Sequence, residues 1–151
     1  MMNPTLEINI LPFQLEDQAE ARELILKGLA EHWGWLDPKK NQDLENIGAK
    51  YGRGVFLVAW QGNRMVGTGA LVPRPEASAE IVRMSVVADM RSKGIGGQIL
   101  RALCEQARTL GVRHVVLETT ETWTEVIRFY RKFGFQETHH LNGDVYFELE
   151  L

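Results

Sequence analysis

The strongest constraint on this chain is the run from Ala79 to Gly111, AEIVRMSVVADMRSKGIGGQILRALCEQARTLG. Its pattern predicts a strand from Glu80 to Val87 and a short turn from Ala88 to Lys93 that carries Arg91 and Lys93. A helix follows, opened by Gly94, Gly96 and Gly97 and closed at Gly111. A strand, loop and helix so joined aim unpaired backbone N–H groups and the positive end of the helix dipole at one place. That arrangement suits a phosphate group.

A length of 151 residues predicts a single domain spanning 1–151, in which roughly 70% of the unfolded surface is buried. The net charge of −3 argues against a general nucleic-acid binder, which needs a surplus of Lys and Arg. DNA binding through the turn at Arg91 and Lys93 is therefore the least favoured reading. The one cysteine, Cys104, falls among Leu100, Leu103 and Ala107 on an apolar helix face and reads as a packed hydrophobe. An intramolecular disulfide is excluded, and a cytoplasmic setting is expected. No basic n-region or long apolar run appears, so neither a targeting segment nor a membrane partner is expected.

Taken in order, Leu6, Ile8 and Ile10 alternate as a first strand behind a short leader, and Asp17 is placed to cap a helix reaching about His32. Asp37-Pro38 marks the start of a second helix with a stripe of Leu44, Ile47 and Tyr51. Trp33, Trp35, Asp43 and Asn46 around it suit either a pocket wall or a seal on the core. Val55–Gln61 and Arg64–Val72 form a hairpin about Gly62-Asn63, with Pro73 and Pro75 ending its second strand. The central unit leads to a strand over Val112–Thr120, parallel to that of Glu80 as a crossover requires. A helix with Val126, Ile127, Phe129, Tyr130 and Phe133 stops at Gly134, and Asn142-Gly143 turns a terminal hairpin whose edge could serve a homodimer. The order β-α-α-β-β-β-α-β-α-β-β implies an α/β (α+β) fold on a mixed sheet.

Arg91 to Gly96 has the form R-x-x-G-x-G, with glycines that let a backbone approach pyrophosphate. The G-x-x-x-x-G-K-S/T of a P-loop is absent, and the spacing and mid-chain position do not suit a dinucleotide-binding fold. The second signature is VIRFYRKFGF, Val126 to Phe135. Together these motifs resemble the GCN5-related N-acetyltransferase (GNAT) superfamily, whose loop reads Q/R-x-x-G-x-G/A and whose later helix ends A-I-x-x-Y-x-x-x-G-F. The resemblance covers most of the chain and is most specific over residues 80–135.

The resemblance implies a mostly antiparallel sheet of about seven strands with a splayed central parallel pair and about four flanking helices. It implies an N-acetyltransferase that moves the acetyl group of acetyl-CoA to a primary amine within a ternary complex, without a metal. Arg91, Ser92, Lys93, Gly94, Ile95, Gly96 and Gly97 would hold the pyrophosphate. Met84, Ser85 and Val86 would pair with the pantetheine arm as an added strand would, and Thr119, Thr120 and Tyr130 would border the thioester.

For the chemistry, Tyr130 is the candidate acid and Glu80 the candidate base. The Met84 N–H is the candidate oxyanion donor, on the strand parity it shares with Glu80. Glu118 or ordered water is the alternative base, and Tyr130 also suits a plain core position. His139 and His140 border the terminal turn and read as solvated. Trp123 and Val126 stand where the family commonly has Asn and Ala. That departure motivates the alternative of an acyl-CoA-binding sensor without turnover, and the acceptor amine is open.

Overall fold

The computed structural model describes residues 7–37 and 39–151. The expected leader, Leu6 of the first strand and Pro38 of the second helix lie outside the described residues. Seven strands make one sheet in the order β1-β2-β3-β4-β5-β7-β6: β1 Asn9–Pro12, β2 Val55–Gln61, β3 Arg64–Arg74, β4 Ser78–Val86, β5 His114–Thr120, β6 Gln136–Leu141 and β7 Asp144–Glu150. The helices are α1 Gln18–Trp33, α2 Ile47–Lys50, α3 Ile95–Thr109 and α4 Thr124–Phe133. All neighbours in the sheet are antiparallel except β4 and β5. This is the mixed fold with a central parallel pair that the sequence predicts. No helix among the described residues is long and apolar enough to cross a membrane.

Alternation along the strands divides the apolar residues between two faces. Leu57, Ala59, Val66, Leu71, Ala79, Ile81, Val115, Leu117, Val145 and Phe147 face α3 and α4, where they meet Ile99, Leu100, Leu103 and Ile127. Phe56, Val58, Met65, Ala70 and Val82 face the other way and are covered by Ala21, Leu24 and Ile25 of α1 with Leu44 and Ile47. That second core reaches only β2, β3 and β4. The same side of β5 and β7 therefore carries Glu118, Tyr146 and Glu148 without a helix above them.

Several boundaries differ from the sequence reading. Asp17 stands at the N-cap of α1 as read, but it also closes a 3-10 turn, Leu15–Asp17, and its carboxylate accepts the Gln14 N–H at 2.8 Å and no N–H of α1. The second helix shrinks to a 3-10 turn, Gln42–Glu45, and the single turn of α2. The Asn46 side chain accepts the Ala49 N–H at 3.1 Å and starts the helix there. Leu44 and Ile47 are nevertheless fully buried, so the apolar stripe anchors the segment even though no long helix forms. Pro73 does not end β3, which continues to Arg74 and pairs Pro73 with Ala79. Its missing N–H is tolerated because the register with β2 has already stopped at Leu71.

Candidate functional site

The parallel register of β4 and β5 covers only Ser78↔His114, Ala79↔Val115 and Glu80↔Val116. Beyond that point β4 runs on to Val86 and β5 to Thr120, but the two strands no longer pair. The sheet thus forks at Glu80. Backbone edges along a fork are free to bond an extended ligand as a strand would.

The loop beyond β4 turns through Ala88–Met90. Asp89 takes two hydrogen bonds from Arg64, at 2.8 and 2.7 Å, which hold its carboxyl down at about 2. Ser92 then adopts φ 63° and Gly94 φ 84°, and α3 begins at Ile95. Gly94 has no side-chain cap to offer, and no acidic residue stands in the first turn of this 15-residue helix. The first N–H groups of α3 are therefore uncapped by any side chain, with the dipole's positive end undiminished.

The glycines divide their work. A Cβ at Gly94 or Gly97 would meet nothing within 4 Å, so a ligand has open approach there. A Cβ at Gly96 would lie 3.3 Å from the Phe129 ring. Gly96 thus serves the close approach of α4 to α3. Arg91 is engaged as well: its Nε donates to the Val86 carbonyl at 3.0 Å and its Nη2 to Glu31 of α1 at 3.1 Å. The basic side chain of the motif braces the end of β4 against α1, and Lys93 stands exposed beside it.

Tyr130 comes from the last turns of α4 and is 6% exposed among Phe129, Phe135 and Phe147. Burial pushes its phenol well above the usual value, so it holds its proton through the neutral range. Among the described residues its hydroxyl has no hydrogen-bond partner. It is not a sealed orphan either, since Arg22 Nε is the one fully buried side-chain polar atom among them without a partner. Tyr130 thus keeps a proton and a polar tip that no group among the described residues occupies.

A family model described as the acetyltransferase (GNAT) family matches residues 16–135. The chain belongs to that family. A rat protein named N-acetyltransferase family 8 member 2 is 33% identical over 105 residues, covering 65% of this chain and 46% of its own length. The chain thus spans about half the length of the first curated relatives it matches. A GNAT-family acetyltransferase of Staphylococcus aureus Mu50 superposes with a TM-score of 0.88 at 23% identity, over 96% of this chain and 99% of the other. The PaiA N-acetyltransferase of Thermoplasma acidophilum, solved in complex with coenzyme A, gives 0.84 at 17% identity over the same shares. At these identities the structures establish a common fold.

Within this GNAT fold the other named residues fall into place unevenly. Ser85 and Val86 pair with Thr68 and Gly67 of β3, and the Ser85 hydroxyl lies against Gly28 of α1. Thr119 is buried, opposite Val145 of β7, and Thr120 is half-buried, opposite Asp144. Ile95 is buried in the core on the α3 side. The parity expected of Glu80 and Met84 does not hold. Arg83 takes φ 56° in a bulge, the register skipping from Ala70↔Val82 to Thr68↔Ser85. The extra residue turns the Met84 side chain toward Gly69 and α3, across the sheet from Glu80. Its backbone stays beside the fork.

Glu80 accepts a hydrogen bond from Arg74. Glu118 lies two residues past the fork on β5, opposite Tyr146. Hydrogen bonding to Glu118 raises the Tyr146 phenol, and burial and the charges of Glu118, Asp144 and Glu80 add to the effect. Tyr146 went unnoticed in the sequence because only the β5-β7 pairing brings it to Glu118. His139 stacks on Tyr146 with centroids 4.3 Å apart, and His140 is exposed in β6. Trp123 precedes α4 and packs on His32 and Trp33 at the end of α1, with centroids 4.2 and 6.4 Å away.

Proposed function

We propose that this chain is an acetyl-CoA-dependent N-acetyltransferase acting on a primary amine by direct transfer. The observation that carries the reading is the fork at Glu80, on the strand that leads into the uncapped start of α3, against which Phe129 packs α4 at Gly96. The backbone of Ser92 to Gly97 and Lys93 binds the pyrophosphate, and the fork edge of β4 from Met84 to Val86 aligns the pantetheine arm. The fit rests on the open space at Gly94 and Gly97.

The amine nitrogen must be neutral to attack, and an alkyl ammonium has a pKa of about 10.4. A carboxylate takes its proton, directly or through water. Glu118 is favoured over Glu80 because Arg74 already occupies Glu80. The N–C bond forms, backbone N–H groups at the bulge steady the oxyanion, and the C–S bond breaks as Tyr130 gives its proton to the leaving sulfur; the second proton of the nitrogen, shed as the amide forms, returns through water to the Tyr130 oxygen. The sensor reading is not favoured: Trp123, which suggested it, stacks on the end of α1.

Isothermal titration with acetyl-CoA tests the donor half, and absence of binding at millimolar concentration refutes it. Release of free CoA thiol is then measured with small-molecule amines, polyamines, amino acids and peptides. Tight binding of acetyl-CoA without release across that panel would restore the sensor reading.

A further inference from the structure

Arg83 holds a conformation that a side chain other than glycine seldom takes, and it does so inside a strand, at φ 56°. Arg83 and Met84 have no Cα partner in β3, whose Gly69 is skipped by the register. Val82 and Arg83 consequently both face the α1–α2 layer, and Met84 faces α3. The distortion sits three residues past the last β4–β5 pair, Glu80↔Val116, on the stretch of β4 that borders the open fork.

Such a conformation persists where its surroundings over-determine it. Here they do so from both ends of the residue. The Arg83 carbonyl accepts the hydroxyl of Thr68, a fully buried residue, at 2.8 Å. On the other side the guanidinium forks onto Asp43, with Nε to Oδ2 at 3.0 Å and Nη2 to Oδ1 at 2.6 Å, and Nη1 donates to Asn41 Oδ1 at 3.2 Å. Tyr51 donates its hydroxyl to Asp43 Oδ2 at 2.5 Å and completes the carboxylate's shell. The side chains of Arg83 and Asp43 are 17% and 24% exposed. This planar, two-point ion pair fixes direction as well as distance.

We infer that Arg83 is a positioning residue for acetyl transfer: its clamp by Asp43 and Asn41 holds the β4 bulge that aims the backbone of Arg83 and Met84 at the acetyl carbonyl. The inference rests on the reading of the fork as the acetyl-CoA site. It assigns the segment from Asn41 to Tyr51 a second task besides covering the core. A site whose polarising donors are backbone groups has no side-chain rotamer to adjust, so alignment depends on what fixes the backbone.

The test is the carbonyl stretch of acetyl-CoA, labelled with carbon-13 at the carbonyl, bound to the whole chain. The wild type is expected to lower the frequency relative to free acetyl-CoA. Arg83→Ala is expected to return it toward the free value and to cut turnover on any amine the wild type acetylates by about 100-fold, with the dissociation constant of acetyl-CoA within about threefold. Arg83→Gly, which adopts a positive φ without strain, should recover part of the shift that Arg83→Ala loses. Asp43→Asn, isosteric and milder, should give an intermediate shift and serves where Arg83→Ala does not fold.

A wild-type frequency and turnover in Arg83→Ala or Asp43→Asn overturns the inference. So does a wild type that binds acetyl-CoA with an unshifted carbonyl, a result that leaves the proposed function standing. A wild type that fails to bind acetyl-CoA at all overturns the proposed function first, and this inference with it.

Discussion

Replacing Tyr130 by Phe should move stability and activity in opposite directions. The side chain is 6% exposed, and its ring packs against Phe129, Phe135 and Phe147 at centroid distances of 5.1, 5.7 and 5.9 Å. Phenylalanine keeps all of that contact. The hydroxyl has no partner among the described residues, so deleting it breaks no hydrogen bond and leaves no group unsatisfied among them. Removing an incompletely solvated hydroxyl of this kind stabilises by up to about 1 kcal/mol. For a chain of this size that is a rise in Tm of about 2–4 °C at most. Burial raises the phenol, so it enters the reaction protonated but as a weak donor, and its contribution as acid to the departing sulfur should be about 10²-fold, the low end for a positioned acid. Differential scanning calorimetry, titration with acetyl-CoA and CoA-thiol release give the three quantities. The reasoning fails if Tyr130→Phe melts several degrees lower, which would show a structural bond to the hydroxyl, or if it turns over at the wild-type rate.

Gly94→Ala places a side chain in open space at φ 84°, so its penalty is conformational, about 1–2 kcal/mol, and weaker acetyl-CoA binding by calorimetric titration should accompany it. Glu31→Gln releases Arg91 from an exposed pair and should tighten acetyl-CoA binding by up to about fivefold; an unchanged constant would mean that Arg91 does not reach the pyrophosphate. At Asp43, burial pushes the carboxyl up, but the bonds from Arg83 and Tyr51 outweigh it and hold the pKa below the ordinary 3.8. A depressed carboxylate contributes stability above its unfolded value that is lost as pH falls through the folded one. The urea midpoint of Asp43→Asn should therefore trail the wild type at pH 7 and 5, with the gap closing below about pH 4. Glu118→Gln should lower turnover by about 10²-fold and Glu80→Gln by less; the reverse order would return the role of base to Glu80.

The order of elements was legible because strand and helix periodicities and turn residues are local. Gly62-Asn63 and Asn142-Gly143 do turn hairpins, Gly111 and Gly134 do follow helix ends, and the central strand, loop and helix unit stands as read. The segment from Asn41 to Tyr51 reads as part of one helix but folds as a 3-10 turn and a single helical turn. Its stripe of Leu44, Ile47 and Tyr51 is spaced for one, but Asn46 restarts the backbone in the middle. Pro73 was misread as a stop because its effect depends on whether β2 is still alongside.

At the site, the sequence by itself determined the uncapped, glycine-opened start of α3 and the presence of Tyr130 on the apolar face of α4. Both follow from residue types at fixed local spacing. Only the tertiary structure decided that Arg91 braces β4 to α1, that Gly96 makes room for Phe129, and that the bulge at Arg83 sends Met84 across the sheet from Glu80. It also decided that Arg83 meets Asp43, 40 residues away in sequence. A strand's alternation predicts faces only while its register is unbroken, and a bulge is set by the partner strand and by what holds the extra residue. Those partners are chosen by packing at long range, which no local pattern records.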